Sequence, residues 1–253
     1  MNSTLDLSIV VPTYNESLAL EDLFRAIQHV MNQTDIKYEI VIVDDNSPDG
    51  TADRAEELAQ DFPVRVLRRP GKLGLSSAVL DGWAICQGEV LAVTDADLSH
   101  DPAVFPSMVA SIQRGEAEVA VGSRYISGGG MGNWPLYRQI VSRTAVVMGS
   151  LICPVRDVTS GFVALRRTVI EGVKLNPIGF KIGLELLVRG RYETFCEIPY
   201  VFQDRAKGSS KLGWKEIRNY LVQLAQLIGY WARNRPRRRR VSPVMVSVEG
   251  KRP

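Results

Sequence analysis

Five short apolar runs rich in Val and Ile recur through the first half of the chain: LSIVVP at 7–12, EIVIVD at 39–44, VRVL at 64–67, EVLAVT at 89–94 and AEVAVG at 117–122. Each has the length of a strand, and each is apolar almost throughout rather than alternating, the pattern of a strand covered on both faces. Segments with helical spacing lie between them: Ala52, Ala55, Leu58 and Ala59 in GTADRAEELAQDF, and Leu75, Ala78, Val79 and Trp83 in LGLSSAVLDGWAICQ. This alternation predicts an α/β fold with a mainly parallel sheet flanked by helices. Beyond about residue 125 the pattern loosens at Gly128, Gly129 and Gly130, and the longer helical stretches that follow are expected to cap the sheet.

In such sheets the ligand sits beyond the carboxyl ends of the strands, near the point where strand order reverses. The polar clusters fall at those ends: PTYNE after the first run, DDNSPDGT after the second, DADLSHDP after the fourth and GSRY after the fifth. Asn46, Ser47, Pro48, Asp49 and Thr51 read first as turn and helix-start residues. Asp95 and Asp97 are different, because two carboxylates one residue apart suit a hard cation, Mg²⁺ or Mn²⁺, that keeps other positions for phosphate and water. A nicotinamide site is excluded by the first strand end, where Pro12-Thr13-Tyr14-Asn15-Glu16 replaces the glycines that pyrophosphate requires. GKLGLSS at 71–77 lacks the Lys-Ser/Thr pair of a P-loop. His29 and His100, the two histidines of the chain, read as structural.

Charge and cysteine usage bound the setting. Residues 233–253 hold eight Lys/Arg against Glu249, a charge of +7, while residues 1–232 hold 23 Lys/Arg against 27 Asp/Glu and carry −4. Cys86, Cys153 and Cys196 form no C-x-x-C and imply neither a disulfide framework nor zinc, which fits a reducing compartment. No secretory leader is read at the N-terminus, and TAVVMGSLICPV at 144–155 is too short to span a membrane, so it is expected to be a buried or interfacial helix. In EIRNYLVQLAQLIGYWAR, 216–233, one helical face carries Ile217, Tyr220, Leu221, Leu224, Leu227, Ile228 and Trp231. Followed by six Arg in 233–240, it reads either as a core-packing helix or as an anchor at an anionic membrane surface. RNA or DNA is the weaker partner for that Arg run, because the body is acidic. The expected division is a catalytic domain over 1–215, an amphipathic helix over 216–233 and a basic, disordered tail over 234–253.

Seven motifs in order, VVPTYNE, IVDDNSPDGT, GKLGLSSAVLDG, DADLSHDP, GSRYISGG, TSGFVALRR and DRAKGSSKL, resemble those of family 2 glycosyltransferases of the GT-A type, and most of all the polyprenol- and dolichol-phosphate mannosyltransferases. The resemblance covers about residues 7–213. It implies a Rossmann-like GT-A fold and an inverting transfer of mannose from GDP-mannose to a dolichyl or polyprenyl phosphate. It implies that Pro12, Tyr14, Glu16, Val43 and Asp45 hold the nucleoside, that Asp95, Ala96 and Asp97 follow the diphosphate and its metal, and that Arg124, Arg205 and Lys211 meet phosphate groups. Arg124 and Arg138 are expected at the acceptor phosphate, and Ser99 stands where some relatives place a metal-binding Gln. A phosphate acceptor, largely dianionic at neutral pH, calls for no catalytic base. The implied setting is peripheral, on the cytoplasmic face of a membrane: the plasma membrane of a prokaryote or the endoplasmic reticulum of a eukaryote. A separate membrane subunit is one possible anchor. Glucose transfer from a UDP-sugar and a non-catalytic nucleotide-sugar-binding subunit stand as the alternatives.

Overall fold

The computed structural model describes residues 5–203 and 213–248, apart from the Lys215 side chain. Eight strands form one sheet in the order β3-β2-β1-β4-β6-β5-β7-β8. They are β1 (Leu7–Thr13), β2 (Tyr38–Asp44), β3 (Val64–Arg68), β4 (Val90–Val93), β5 (Val119–Ser123), β6 (Val163–Arg166), β7 (Thr194–Pro199) and β8 (Arg239–Arg240). All five expected strands are present. The second half does more than cap the sheet, however, since β6, β7 and β8 belong to it. Only β6 is reversed, pairing antiparallel with both β4 and β5, so the other seven strands end on one common rim.

Alternate side chains divide the core between the two faces. Leu7, Ile9 and Val11 of β1 and Ile40 and Ile42 of β2 pack against α1 (Leu20–Met31), α2 (Thr51–Leu58) and α4 (Phe105–Gln113). Val10, Val41 and Val43 face the other way, toward α3 (Leu75–Ile85), in a core that also takes α6 (Ile182–Arg189) and α7 (Trp214–Asn234). Both faces being covered is why these strands read as continuous apolar runs. Helix α3 approaches closely because Gly82 faces the sheet: a Cβ there would lie 2.6 Å from a Val10 methyl.

Of the two readings of the 144–155 segment, buried or interfacial helix, the buried one falls, because the helix α5 (Leu136–Ser150) lies on the surface with Gly149 its one buried residue. In α7, Tyr220, Leu224 and Leu227 pack into the core, while Trp214, Leu221, Val222 and Ile228 remain exposed. No helix among the described residues is long and apolar enough to cross a membrane.

The tail is ordered through residue 248, contrary to the disorder expected of its charge. Arg239 and Arg240 add a strand beside Thr194 and Phe195, Val241 packs on the core, and the amides of Val244 and Val246 donate to the hydroxyls of Ser111 and Ser107 on α4. Arg238 donates to the carbonyls of Tyr192 and Gly190. Arg240 faces the buried Glu197, 3.3 Å away, whose Oε2 makes no hydrogen bond among the described residues. Backbone pairing and a buried countercharge therefore outweigh mutual Arg repulsion. Removing one partner of a buried pair strands the other charge. Because the Arg240 side chain is 38% exposed, Arg240→Gln is expected to cost about 1–3 kcal/mol in urea unfolding, with the exposed Arg237→Gln within about 0.5 kcal/mol of wild type.

Candidate functional site

The rim at the carboxyl ends of the parallel strands is built by loops that hold themselves in shape. Ser47, Asp49 and Thr51 serve as loop builders, as their residue types suggest: the amides of Asn15, Glu16 and Ser17 donate to the Ser47, Thr51 and Asp49 side chains. Asn15, Asn46 and Leu98 adopt positive φ in three separate rim loops. Asn tolerates that region, whereas Leu98, at φ 58°, sits where a branched side chain is disfavoured, directly after the Asp pair.

On the nucleoside side, Pro12 and Val43 are register partners across β1 and β2, and Tyr14 and Glu16 follow in the next loop. The Asp45 carboxylate pairs with the buried Arg69 and accepts from the amide of Gly74 at 2.8 Å, so it shapes the 69–74 loop. That loop brings Lys72 Nζ to 3.5 Å above the centre of the Tyr14 ring, a cation that reading the segment as a failed P-loop passes over.

At the end of β4 the three-residue Asp-Ala-Asp stretch alternates. Ala96 is buried in the core below, while Asp95 and Asp97 keep partial exposure at the rim. Asp97 Oδ1 accepts the Ser99 amide at 3.0 Å, closing a tight turn. His100 is structural, as expected. Its Nδ1 lies 3.2 Å from the Asp95 amide, which it accepts, and its ring stacks flat on Phe162 with centroids 4.8 Å apart. Burial holds the imidazole below its ordinary pKa, against the pull of Asp95 and Asp97. No cluster of three or more His, Cys, Asp or Glu with metal-binding geometry occurs among the described residues. A divalent cation here would rest on Asp95 and Asp97 and complete its shell with other oxygens, which is how Mg²⁺ is usually held. Ser99 Oγ, buried without a hydrogen-bond partner among the described residues, is an additional oxygen in the same turn.

Of the two arginines expected at the acceptor phosphate, Arg124 stands at the end of β5, where its Nε and Nη2 pair with both oxygens of Asp157, at 2.7 and 2.8 Å. Nη2 also reaches the Thr159 hydroxyl at 3.1 Å. Asp157 cancels much of the Arg124 charge, and burial of both explains why they need each other. Arg138, in the first turn of α5, is brought to the same place: its Cζ lies 3.8 Å over the Trp134 ring, and Arg124 Cζ is 5.4 Å from that ring. Trp134 packs edge-on against Phe202, 5.0 Å away. The triple glycine makes this possible. Gly128 has φ 86°, and a Cβ on Gly129 would sit 2.5 Å from the Ser123 carbonyl oxygen, so the segment folds back onto the end of β7 through Gly130 and Phe202.

Several residues at this rim carry no local sequence signal: Asp157, Trp134, Phe202 and Lys181. Lys181 precedes α6 and donates from Nζ to the Thr159 carbonyl at 3.1 Å. Burial, helped by Arg124, pushes its ammonium down to about 8. Arg205 and Lys211 lie outside the described residues.

Residues 8–173 match the model of glycosyl transferase family 2. A dolichol-phosphate mannosyltransferase of Pyrococcus furiosus is 45% identical over 228 residues, 88% of this chain and 64% of that protein, so the chain spans less than two thirds of its length. The dolichol-phosphate mannosyltransferase of Saccharomyces cerevisiae is 36% identical over 235 residues, 88% of this chain and 87% of that one. Among solved structures, a mannosyltransferase of Pyrobaculum calidifontis in complex with GDP-Man and Mn²⁺ superposes with a TM-score of 0.61 over 92% of this chain and 66% of its own, at 18% identity, a likeness of fold. The motifs spread over residues 7–213, the sheet with one reversed strand and the identity shared with both relatives lead to one conclusion: the chain belongs to glycosyl transferase family 2.

Proposed function

We propose that the protein transfers mannose from GDP-mannose to a dolichyl or polyprenyl phosphate with inversion at the anomeric carbon. The observation that carries this reading is the division of the rim. Asp95 and Asp97 stand at the end of β4, and Arg124 and Arg138 gather around Trp134 beyond the end of β5, with the single strand β6 between. Two strand spacings, roughly 10 Å, separate the two ends and leave room for a sugar between an anionic donor side and a cationic acceptor side. The dolichol-phosphate and GDP-Man named for the relatives support the same assignment.

The chemistry asks little of a base. An acceptor phosphate oxygen attacks the anomeric carbon, the bond from that carbon to the GDP oxygen breaks, and its electron pair leaves with GDP. No proton has to move, because a phosphate monoester, with a second pKa near ~6, arrives ionised. His100 agrees with this: its Nδ1 accepts the Asp95 amide and its ring is enclosed by Phe162, Tyr200 and Phe202. Asp95 and Asp97 are the residues to hold Mg²⁺ or Mn²⁺, which would supply positive charge to the departing diphosphate. Arg124, fixed by Asp157, and Arg138, on the Trp134 face, orient the acceptor phosphate; Arg205 and Lys211 are assigned to the donor phosphates. Pro12, Tyr14, Glu16 and Val43 line the nucleoside end, with Asp45 holding the loop beside them.

The acceptor is a lipid, and we assign peripheral attachment at the cytoplasmic face of a membrane. Three buried free cysteines fit a reducing compartment. On α5 the exposed residues Leu136, Ile140, Val147 and Leu151 fall within about 60° of arc, on the helix that carries Arg138. Helix α7, joined to α5 by the Tyr220 hydroxyl and the Ala145 carbonyl, adds Trp214, 87% exposed, with Leu221 and Ile228. The Arg run is a weaker anchor than its charge suggests. It lies beside the start of β7, at the pole opposite the rim, with Arg238 and Arg240 already engaged. A separate membrane subunit remains the alternative anchor.

The deciding experiment is transfer of labelled sugar from GDP-mannose, with UDP-glucose in parallel, to a short polyprenyl phosphate, with Mg²⁺, Mn²⁺ or chelator. Metal-dependent mannolipid is expected, and Asp97→Asn should lower it by roughly 10²–10³-fold without changing the circular dichroism spectrum. Glucolipid instead would move the donor to a UDP-sugar, and no product from either would favour a binding subunit. For attachment, Ile140→Glu with Val147→Glu should abolish co-flotation with vesicles containing phosphatidylglycerol. Gln at Arg235, Arg237 and Arg239 should leave most of it; the reverse pattern would return the anchor to the tail.

A further inference from the structure

Among the described residues no carboxylate pairs with Lys181. Its ammonium lies inside the protein, although the residue as a whole keeps partial exposure, and among the described residues its hydrogen-bond partner is the Thr159 carbonyl at 3.1 Å. An ammonium has three N–H donors, so two remain. Asp157, a buried acid in the same network, is engaged by Arg124 and by the Thr159 hydroxyl. Asp95 acts on Lys181 through space without a hydrogen bond. A desolvated cation left in this way is costly to the folded state unless an anion completes its surroundings.

The backbone holds the group in place. Lys181 takes φ −95° and ψ 53°, outside the helical region, as the residue that starts α6. Its carbonyl accepts from Gln223, a fully buried residue of α7 that also reaches Glu185. Neutral Gln223 therefore ties the Lys181 main chain to α7 and leaves the ammonium free of it. The Lys181 ammonium feels the charges of both Asp95, at the end of β4, and Arg124, at the end of β5.

We propose that Lys181 is a substrate-binding residue that donates to a phosphate oxygen of the acceptor, from the inner wall of the site, beside Arg124 and Arg138. The inference rests on the reading of this rim as a sugar-transfer site for a phosphate acceptor, and it adds a cation that neither the motifs nor the two arginines supply. Because Asp157 offsets Arg124, a dianionic phosphate needs further positive charge, and Lys181 is the enclosed cation without an acidic partner among the described residues. The other phosphate source within reach is the donor diphosphate, and the test separates the two.

Farnesyl phosphate and GDP are titrated calorimetrically into wild type, Lys181→Met and Lys181→Arg, with farnesol as the phosphate-free control, and steady-state constants are measured for both substrates. Lys181→Met should weaken farnesyl phosphate binding and raise the acceptor KM by at least tenfold, leave the GDP affinity and the GDP-mannose KM within twofold, and keep or raise Tm. Lys181→Arg should recover most of the acceptor affinity. Loss of GDP affinity instead would assign Lys181 to the donor, and unchanged acceptor binding, or a lowered Tm with both ligands weakened equally, would overturn the proposal. Failure of the wild type to transfer mannose, with farnesyl phosphate still bound through Lys181, would overturn the transferase reading alone.

Discussion

The bidentate pair between Arg124 and Asp157 is the interaction on which the rim beyond β5 depends. The two side chains are 8% and 0% exposed, so each charge is tolerable only because the other is there. The pair spans a chain separation of 33 residues and joins the end of β5 to the loop that enters β6. From it the polar contacts spread outward. The Asp157 amide donates to Glu197, which also receives the Ser123 hydroxyl, and Glu197 faces Arg240 in the C-terminal strap. Thr159 links the pair to Lys181, and Arg124 shares the face of Trp134 with Arg138. A guanidinium that looks like a ligand in isolation is thus also a strut, held in one orientation by Asp157 and Thr159.

The reversed strand β6 has the comparable role for the sheet. Inserted between β4 and β5, it separates the Asp95–Asp97 turn from Arg124 while keeping both on one rim. The turn itself stores strain at Leu98 and is backed by a neutral histidine that receives the Asp95 amide, so two half-exposed carboxylates sit on a rigid base. Rigidity in the Asp95–Asp97 turn and countercharge at Arg124 are different solutions to one problem, which is holding charge in place without letting water or rotation relax it.

The two poles of the sheet divide the remaining duties. Near the rim, α5 presents an apolar stripe on the face opposite Arg138, so the proposed lipid surface and the proposed phosphate ligand belong to two faces of one helix. At the opposite pole the basic strap closes the edge of the sheet beside β7 and then climbs α4 through Ser111 and Ser107. Residues that read as a membrane-seeking tail are, in part, the last edge of the core.

The first half of the fold and the Asp pair were legible because their causes are local: strands covered on both faces are continuously apolar, and Asp95 and Asp97 flank an alanine that points into the core. Pro12 and Val43 were legible as neighbours of the site for the same reason, as they end adjacent strands. Nothing local marks β6 as reversed, because a four-residue apolar strand carries no record of its direction. Nor does a run of arginines reveal that one of them faces a buried Glu197, since the partner lies 43 residues away in sequence. What the sequence by itself determined was the layering of the sheet, the rim that carries the chemistry and the family. Which cations are committed, Arg124 and Arg240, and which one is held in reserve, Lys181, was decided only by the tertiary structure, because electrostatic pairing depends on distance and burial rather than on order along the chain.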